Sequence, residues 1–418
     1  MGIIQAILIC CLPLLAVLIY RIPELGLMLC VVFSLFLKVI VQPLLGPIDI
    51  TIYLFTVTYG AIFIRSSMEK RITAPNFRIN LVVILLVSFL LASLLQTPLP
   101  KKGIESLLYF VFVTISVMYA TFMWCTNINR IRKLLFIFSV SSLAYGAIVF
   151  IWVFLLGHGP GYERALLFSQ MAAIKIAQLL AAAILAAVVL RSLIHKKHKR
   201  LMLNLLLIVA GLELIALNSR APIIGLFVAG AFLFLLYKRG EKRRFALVCL
   251  VLLAAFICAF AMLPQQYTGR YLRMFSLGTD SIVERFDMWR FAIQHFFDWF
   301  FIGAGMSGFG YYHSYADPHN IFLDIFAHAG FFALLAFAWL IGLLIHKGII
   351  ISRTRDQSFH ILGLAIVVPF IALLVSALFS TSIGESRALW FFGGLILSLD
   401  RLGRDRRDPG KELINERE

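Results

Sequence analysis

Three side chains in the second half of the sequence are of types suited to phosphate chemistry. Arg220 follows Leu217-Asn218-Ser219, Arg285 lies in a segment rich in Trp and Phe, and His319 follows Ala316-Asp317-Pro318. A guanidinium stays charged, and its planar fork fits two phosphate oxygens at once. An imidazole has an unperturbed pKa near about 6.5, so it takes up or releases a proton at ambient pH. Together on one face beside lipid, the three fit a lipid-linked phosphate or pyrophosphate, and the matching chemistry is transfer at that phosphate. His319 would act as general base on an acceptor hydroxyl. Arg220 and Arg285 would hold the diphosphate and stabilise the charge growing on it as leaving group. No carboxylate cluster suggests a metal, and no cofactor is expected. ATP is absent outside the cytoplasm, so the energy would already reside in a polyprenyl-diphosphate donor.

Each residue also has a structural explanation. Arg220 could anchor a helix end by snorkelling, and Arg285 could pair with Glu284 or Asp287. His319 could belong to a helix start, since Asp317-Pro318-His319-Asn320 resembles one with Pro in the first turn. Glu213 lies about two turns from Arg220 and could be its buried partner. Further charges that fall outside the cytoplasmic loops are Asp324, His328, Glu385, Arg387, Arg164 and Lys175.

The elements that must position these groups follow from composition. The chain has 418 residues, 61% of them apolar and only 14% charged, with a mean hydropathy of +0.94. A soluble chain carries about 25% charged residues, so this one is solvated mostly by lipid. A cytosolic enzyme, a secreted disulfide scaffold, a disordered protein and a nucleic-acid binder are excluded. The net charge of +17 reflects cytoplasmic loops rather than an acidic polymer as partner. The six cysteines fall in apolar stretches without metal-ligand spacing. The first apolar run lacks a basic leader and a small-residue cleavage site, and reads as an uncleaved span.

Apolar runs long enough to cross a bilayer occur near 3–20, 24–44, 48–64, 81–97, 105–125, 134–156, 172–190, 201–217, 221–237, 245–263, 329–345, 359–379 and 388–400. The expectation is an all-α polytopic bundle of about 12 transmembrane helices, one of the first three runs failing to cross fully. Lys38 weakens the second run. Cations recur in alternate loops: Arg65 to Arg78, Arg130 to Lys133, Arg191 to Arg200, Lys238 to Arg244, Lys347 to Arg355, and Arg401 to Arg407. The positive-inside rule makes these loops cytoplasmic. The remaining loops are then external, and the expected organisation is helices over 1–263, one large external loop over 264–328, helices over 329–400 and a basic tail over 401–418. Within the loop, 281–300 reads as an amphipathic helix lying at the membrane surface. Gly303-Ala304-Gly305 reads as a flexible turn, since no strand precedes it as a nucleotide loop would require.

Several short blocks resemble those of the O-antigen ligase and polymerase superfamily. Ser219-Arg220-Ala221 is similar to the block opening that family's conserved region. Arg285 with Trp289, then Gly303-Ala304-Gly305, resembles its R-x3-W/Y block and G-x-G turn. His319-Asn320, nine residues, then Gly330 resembles its H-[N/S/Q]-x9-G block. The blocks keep the family order over about 210–345. The chain departs at Ala333, where Thr or Gly is usual, and lacks the Pro common before the G-x-G turn.

The resemblance implies a GT-C-like, metal-independent inverting glycosyltransferase of the bacterial inner membrane with its active site facing the periplasm. It would move an undecaprenyl-diphosphate-linked glycan onto an acceptor, which for an O-antigen ligase is lipid A–core in lipopolysaccharide biosynthesis. His319 would be the base, Arg220 and Arg285 the diphosphate ligands, and Asn320 a substrate contact. A polysaccharide polymerase and a protein O-oligosaccharyltransferase share the donor and stay open. The ligase is favoured by the single compact loop without a large extra domain. A flippase or transporter is the alternative of another class, but no internal repeat of the transporter kind is visible.

Overall fold

In lipid each backbone N–H and C=O must be bonded within the chain, so long apolar runs become helices. A computed structural model of the chain describes residues 2–34, 37–38, 41–45, 49–70, 73–150, 170–194, 196–217, 219–237, 242, 280–380, 384 and 386–406. Every regular element among the described residues is helical. Helix α1 is Gly2–Arg21, and α2 is Pro23–Met28 running on as a π turn through Phe33. Then come α3 (Ile50–Met68), α4 (Phe77–Ala92), α5 (Pro100–Trp124, with a π segment in its middle) and α6 (Ile128–Phe150). Next are α7 (Gln170–Leu190), α8 (Lys197–Ala216), α9 (Arg220–Leu236) and α10 (Asp280–Gln294). The chain closes with the one-turn α11 (Phe309–Tyr312), then α12 (Ile321–Ser352), α13 (Gln357–Ser380) and α14 (Arg387–Asp405).

Among the described residues seven helices are long and apolar enough to cross a membrane, or up to eight if the bent α1–α2 pair is one span. The twelve expected from the sequence are not reached among the described residues. Residues 3–20 and 24–44 do not make two straight spans, because the chain bends by 114° between Arg21 and Pro23. The runs at 201–217, 221–237 and 388–400 do fold as helices. However, α9 is only 17 residues long, and α8 and α14 carry charges at their ends. The run at 245–263, Arg164 and Glu385 lie outside the described residues.

Helix α13 forms the centre, buried along nearly its whole length, with α7, α9, α12 and α14 packed around it. Lipid tails are as apolar as Leu, so close packing rather than hydrophobicity holds such helices together, and small residues permit it. Helix α7 accordingly buries Ala181, Ala182 and Ala183, and Gly225 of α9 lies against the carbonyl of Ala372.

The two ends of the bundle differ in chemistry. At one end Arg130 bridges Glu69 at 2.7 Å and Lys133 reaches Glu24 at 2.9 Å. Lys347 and Arg404 share Asp400, and Arg401 donates to the Cys125 carbonyl at 3.0 Å. This cationic end brings together residues from four of the groups in the charge pattern, those at 65–78, 130–133, 347–355 and 401–407. At the far end the Thr97 hydroxyl donates to the Met306 carbonyl at 2.8 Å, and the Ser106 and Ser307 hydroxyls bond at 2.8 Å. These contacts fasten the 280–320 segment onto the starts of the helices beneath it.

The expected helix over 281–300 is shorter, ending at Gln294 and continuing as turns to Ala304. There the aromatic rings take over: Phe296 stacks on Phe326 at 5.2 Å and Trp299 meets Phe309 at 6.0 Å. Val283, Phe286, Ile293 and Phe297 of this segment stay exposed, as a face meant for lipid would be.

Gly303-Ala304-Gly305 is a turn, yet a tightly packed one. Its Ala304 N–H donates to the Ala327 carbonyl at 2.7 Å, and the Phe331 N–H donates to Phe300 at 2.8 Å. Between these bonds, Gly330 kinks α12 at φ 82° and ψ −175°. A Cβ there would stand 2.6 Å from Phe301 backbone atoms. Such dihedrals are essentially confined to glycine and cost other residues about 1–3 kcal/mol. Gly330→Ala should therefore lower stability in detergent by at least about that amount. Gly342→Ala in the same helix has nothing within 4 Å of the new Cβ and should be neutral or stabilising by about 1 kcal/mol. Thermal unfolding of the two variants checks the contrast.

Candidate active site

The turn carrying His319 is built by local hydrogen bonds. The Asp317 carboxylate accepts from the His319 backbone N–H at 3.0 Å. The same oxygen lies 2.9 Å from His319 Nδ1. One residue on, the Asn320 side-chain oxygen accepts from the N–H groups of Phe322 and Leu323 at 3.0 and 3.2 Å. Asn320 is thus the N-cap of α12, the arrangement that satisfies otherwise orphaned donors. Its oxygen is engaged, and only its amide nitrogen is left to reach a ligand. Pro318 lies outside the helix, before the cap, rather than in its first turn.

His319 has a positive φ of 51°, a left-handed backbone that non-glycine residues seldom adopt. Strain of this kind persists where surrounding contacts over-determine it, and it concentrates at functional sites. Here Trp289 supplies the outside contact, its indole N–H donating to the Pro318 carbonyl at 2.9 Å. Helix α10 is therefore pinned to the His319 turn by a residue one turn along from Arg285. Two further links reinforce it: Glu284 hydrogen-bonds Tyr315, and Asp287 lies 3.5 Å from His313. Asp287 thus reaches towards 313–315, while the charge of Glu284 also favours the Arg285 guanidinium.

The electrostatics join the three expected residues. Burial pushes the half-buried Arg285 guanidinium below its ordinary value, and the charge of Arg220 adds to that. The hydrogen bond to Asp317 raises the His319 pKa above 6.5, against burial and the charge of Arg285 that lower it. Burial raises the Asp317 carboxyl, but the bond and charge of His319 outweigh it and hold Asp317 below its ordinary value. Arg285 thus lies within electrostatic reach of both Arg220 and His319.

Sequence reasoning named His319 and missed its partner. Asp317 stood two residues earlier, the spacing of a side chain that bonds the backbone two residues on, which was a usable signal. A second carboxylate–histidine pair lies behind the first, with Asp324 3.0 Å from His328 in the buried first turns of α12. Glu213, considered as a partner for Arg220, lies against Gly146 of α6 and has no hydrogen bond among the described residues.

A cavity of about 710 Å³ opens beside this turn. Asp317, Asp324 and His328 form one part of its wall, and Lys38, Lys102, Lys175 and Arg387 another. Neither Arg220 nor Arg285 lines it. His319 does not line it either, and Asp317 is the member of the pair that does.

Nδ1 of His319 faces Asp317, so Nε2 is the nitrogen left for a substrate. A carboxylate in that position fixes ring orientation and makes the ring a stronger base. Replacing Asp317 with Asn removes the largest cause of the raised value. The His319 titration midpoint, followed by NMR of the labelled ring, should lie above 6.5 in the native protein and fall in Asp317→Asn. A midpoint unmoved by the substitution would separate the two side chains.

Residues 205–338 match the O-Antigen ligase family. The matched stretch runs from α8 into α12 and contains Arg220, Arg285, Trp289, Asp317, His319, Asn320 and Gly330. No curated protein matches the chain.

Proposed function

We propose that this multi-pass membrane protein, with its O-antigen ligase domain over residues 205–338, transfers a glycan from a polyprenyl diphosphate to an acceptor hydroxyl. The observation that carries it is Asp317-His319 paired at 2.9 Å within electrostatic reach of Arg285, and Arg285 within reach of Arg220. His319 Nε2 takes the acceptor hydroxyl proton. The acceptor oxygen attacks the anomeric carbon, whose bond to the diphosphate oxygen breaks. The electron pair leaves on the diphosphate, where Arg220 and Arg285 offset the new charge. Attack opposite the leaving group inverts the anomeric centre. No step calls for a metal.

The donor is an undecaprenyl-diphosphate-linked glycan, and the acceptor of first choice is lipid A–core, as for an O-antigen ligase at the periplasmic face of the inner membrane. In this orientation the cationic end is cytoplasmic by the positive-inside rule. Purified protein, donor and candidate acceptors in detergent test this directly. A covalent product requires no sealed membrane, whereas a transporter would give none. Product on lipid A–core supports the ligase, and lengthening of the lipid-linked glycan would instead make the protein a polymerase.

His319→Ala should lower the transfer rate by at least about 100-fold, the scale of a lost general base, while the protein still inserts and folds. The rate should rise with pH through the raised His319 value, since only the neutral ring accepts a proton. In Asp317→Asn the rise should come at lower pH. Arg220→Lys should be impaired, because a point charge does not replace a two-pronged fork; wild-type transfer by the lysine variant would leave Arg220 as an anchor. Activity should survive excess EDTA, and a loss restored by divalent ion would overturn the metal-independent mechanism.

A further inference from the structure

Helix α12 carries two ionisable side chains that its apolar sequence does not explain. Asp324 and His328 are one turn apart on one face, with Asp324 Oδ1 3.0 Å from His328 Nδ1. Both are buried, and both line the cavity together with Asp317. The helix dipole favours a carboxylate in a first turn. That accounts for Asp324 but not for His328, since the same dipole disfavours a cation. Stability does not call for the pair either, because apolar residues of similar volume often serve as well as a buried ion pair. An ionisable group in an apolar run of this kind is a functional candidate by default.

The backbone under the pair is fixed from outside. The kink at Gly330 closes off the first turns of α12, so Asp324 and His328 stand on a short platform, residues 321–329. The Ala304 N–H donates to the Ala327 carbonyl at 2.7 Å. Gly303 lies so close that a Cβ on it would stand 2.5 Å from the His328 carbonyl carbon. At the other end Asn320 caps the platform, and the Asp324 N–H donates to its carbonyl at 2.7 Å. The two carboxylate–histidine pairs therefore flank one cap, Asp317–His319 before it and Asp324–His328 after it.

Their charges support one another crosswise. Burial raises the Asp317 carboxyl, and the bond and charge of His319, followed by the charge of His328, lower it. The bond to Asp317 is the largest influence raising His319, and the charge of Asp324 adds to it. Each member of the second pair thus favours the charged form of the unlike member of the first.

We propose that Asp324 and His328 are a positioning pair, which stabilises the Asp317–His319 couple through the cavity wall shared with Asp317. The pair acts through the general base and not on the sugar. Its value for transfer rests on the function proposed above, whereas the link between the two pairs does not. Lys38, Lys102, Glu105, Lys175 and Arg387 also line the cavity, and Arg285 acts on His319. All of these stay in place in the variants below, so a moved midpoint belongs to the pair.

The test follows the His319 ring and the Asp317 carboxyl by NMR of labelled full-length protein in detergent, beside the pH dependence of transfer. Asp324→Asn keeps the side-chain shape and removes the charge. The His319 midpoint should then fall by less than about 1 unit, because a carboxylate in contact is worth about 1–3, and the pH at which the rate rises should fall with it. Asp324→Glu keeps the charge and should restore the native midpoint. His328→Gln should raise the Asp317 midpoint. In the native protein the Asp317 signal should also step at the pH where the His328 ring titrates, a reading that needs no variant to fold. A merely structural pair would lower thermal stability, leave both midpoints unmoved and give no such step, and that result overturns the proposal. Coupled midpoints in a protein that transfers no glycan uphold the positioning pair and instead overturn the transferase function.

Discussion

The bond between Asp317 and His319 organises the far end of the bundle. One carboxylate oxygen serves both the backbone and the ring of the histidine, so a single contact sets the turn, the ring orientation and the proton affinity. Everything around it maintains a backbone that would otherwise relax. Trp289 holds the preceding carbonyl, Asn320 starts the following helix, and the kink at Gly330 lets the 300–304 turn lie across α12. The Arg285–Trp289 block, the Gly303–Gly305 turn and the His319–Gly330 block are therefore parts of one assembly.

That assembly divides the charge into two kinds. Arg285 feels the charge of Arg220 and acts on His319, whereas Lys38, Lys102, Lys175 and Arg387 line a cavity that none of these three residues lines. The separation has an electrostatic logic: Arg220 disfavours the charge on Arg285, and Arg285 opposes protonation of His319. Without Asp317, burial and the charge of Arg285 would drive the ring towards its neutral form and leave it a weaker base. With Asp317 the ring keeps its basicity beside Arg285. A diphosphate seated on the arginines would relieve their repulsion and loosen their hold on His319.

Much of this was legible in the sequence because lipid simplifies the grammar. Runs at 81–97, 105–125, 172–190 and 359–379 fold as helices within a few residues of where hydropathy placed them, since backbone in hydrocarbon has no other recourse. Alternating cations located the Glu69–Arg130 and Asp400–Lys347 clusters. Counting stopped short of twelve among the described residues, because α9 is only 17 residues long and α8 and α14 carry charges at their ends. It also failed at 281–300, where ring packing ends the helix after Gln294. Lys38 and Lys102 escaped notice because one weakened an apolar run and the other stood in a short loop. Neither signal says that the two meet.

The aromatic cluster around Met288, Trp299, Phe309 and Phe326 is separate from the large core that holds the spanning helices together. His319 and Arg285 hang on the smaller cluster, whereas Arg220 belongs to α9 in the larger one. The proposed site thus rests on two packing clusters. The smaller one, with fewer buried residues, would open at lower cost than the bundle. Loss of activity on warming or on detergent extraction would then precede any loss of helix content, and a preparation can be fully folded by circular dichroism and still be inert.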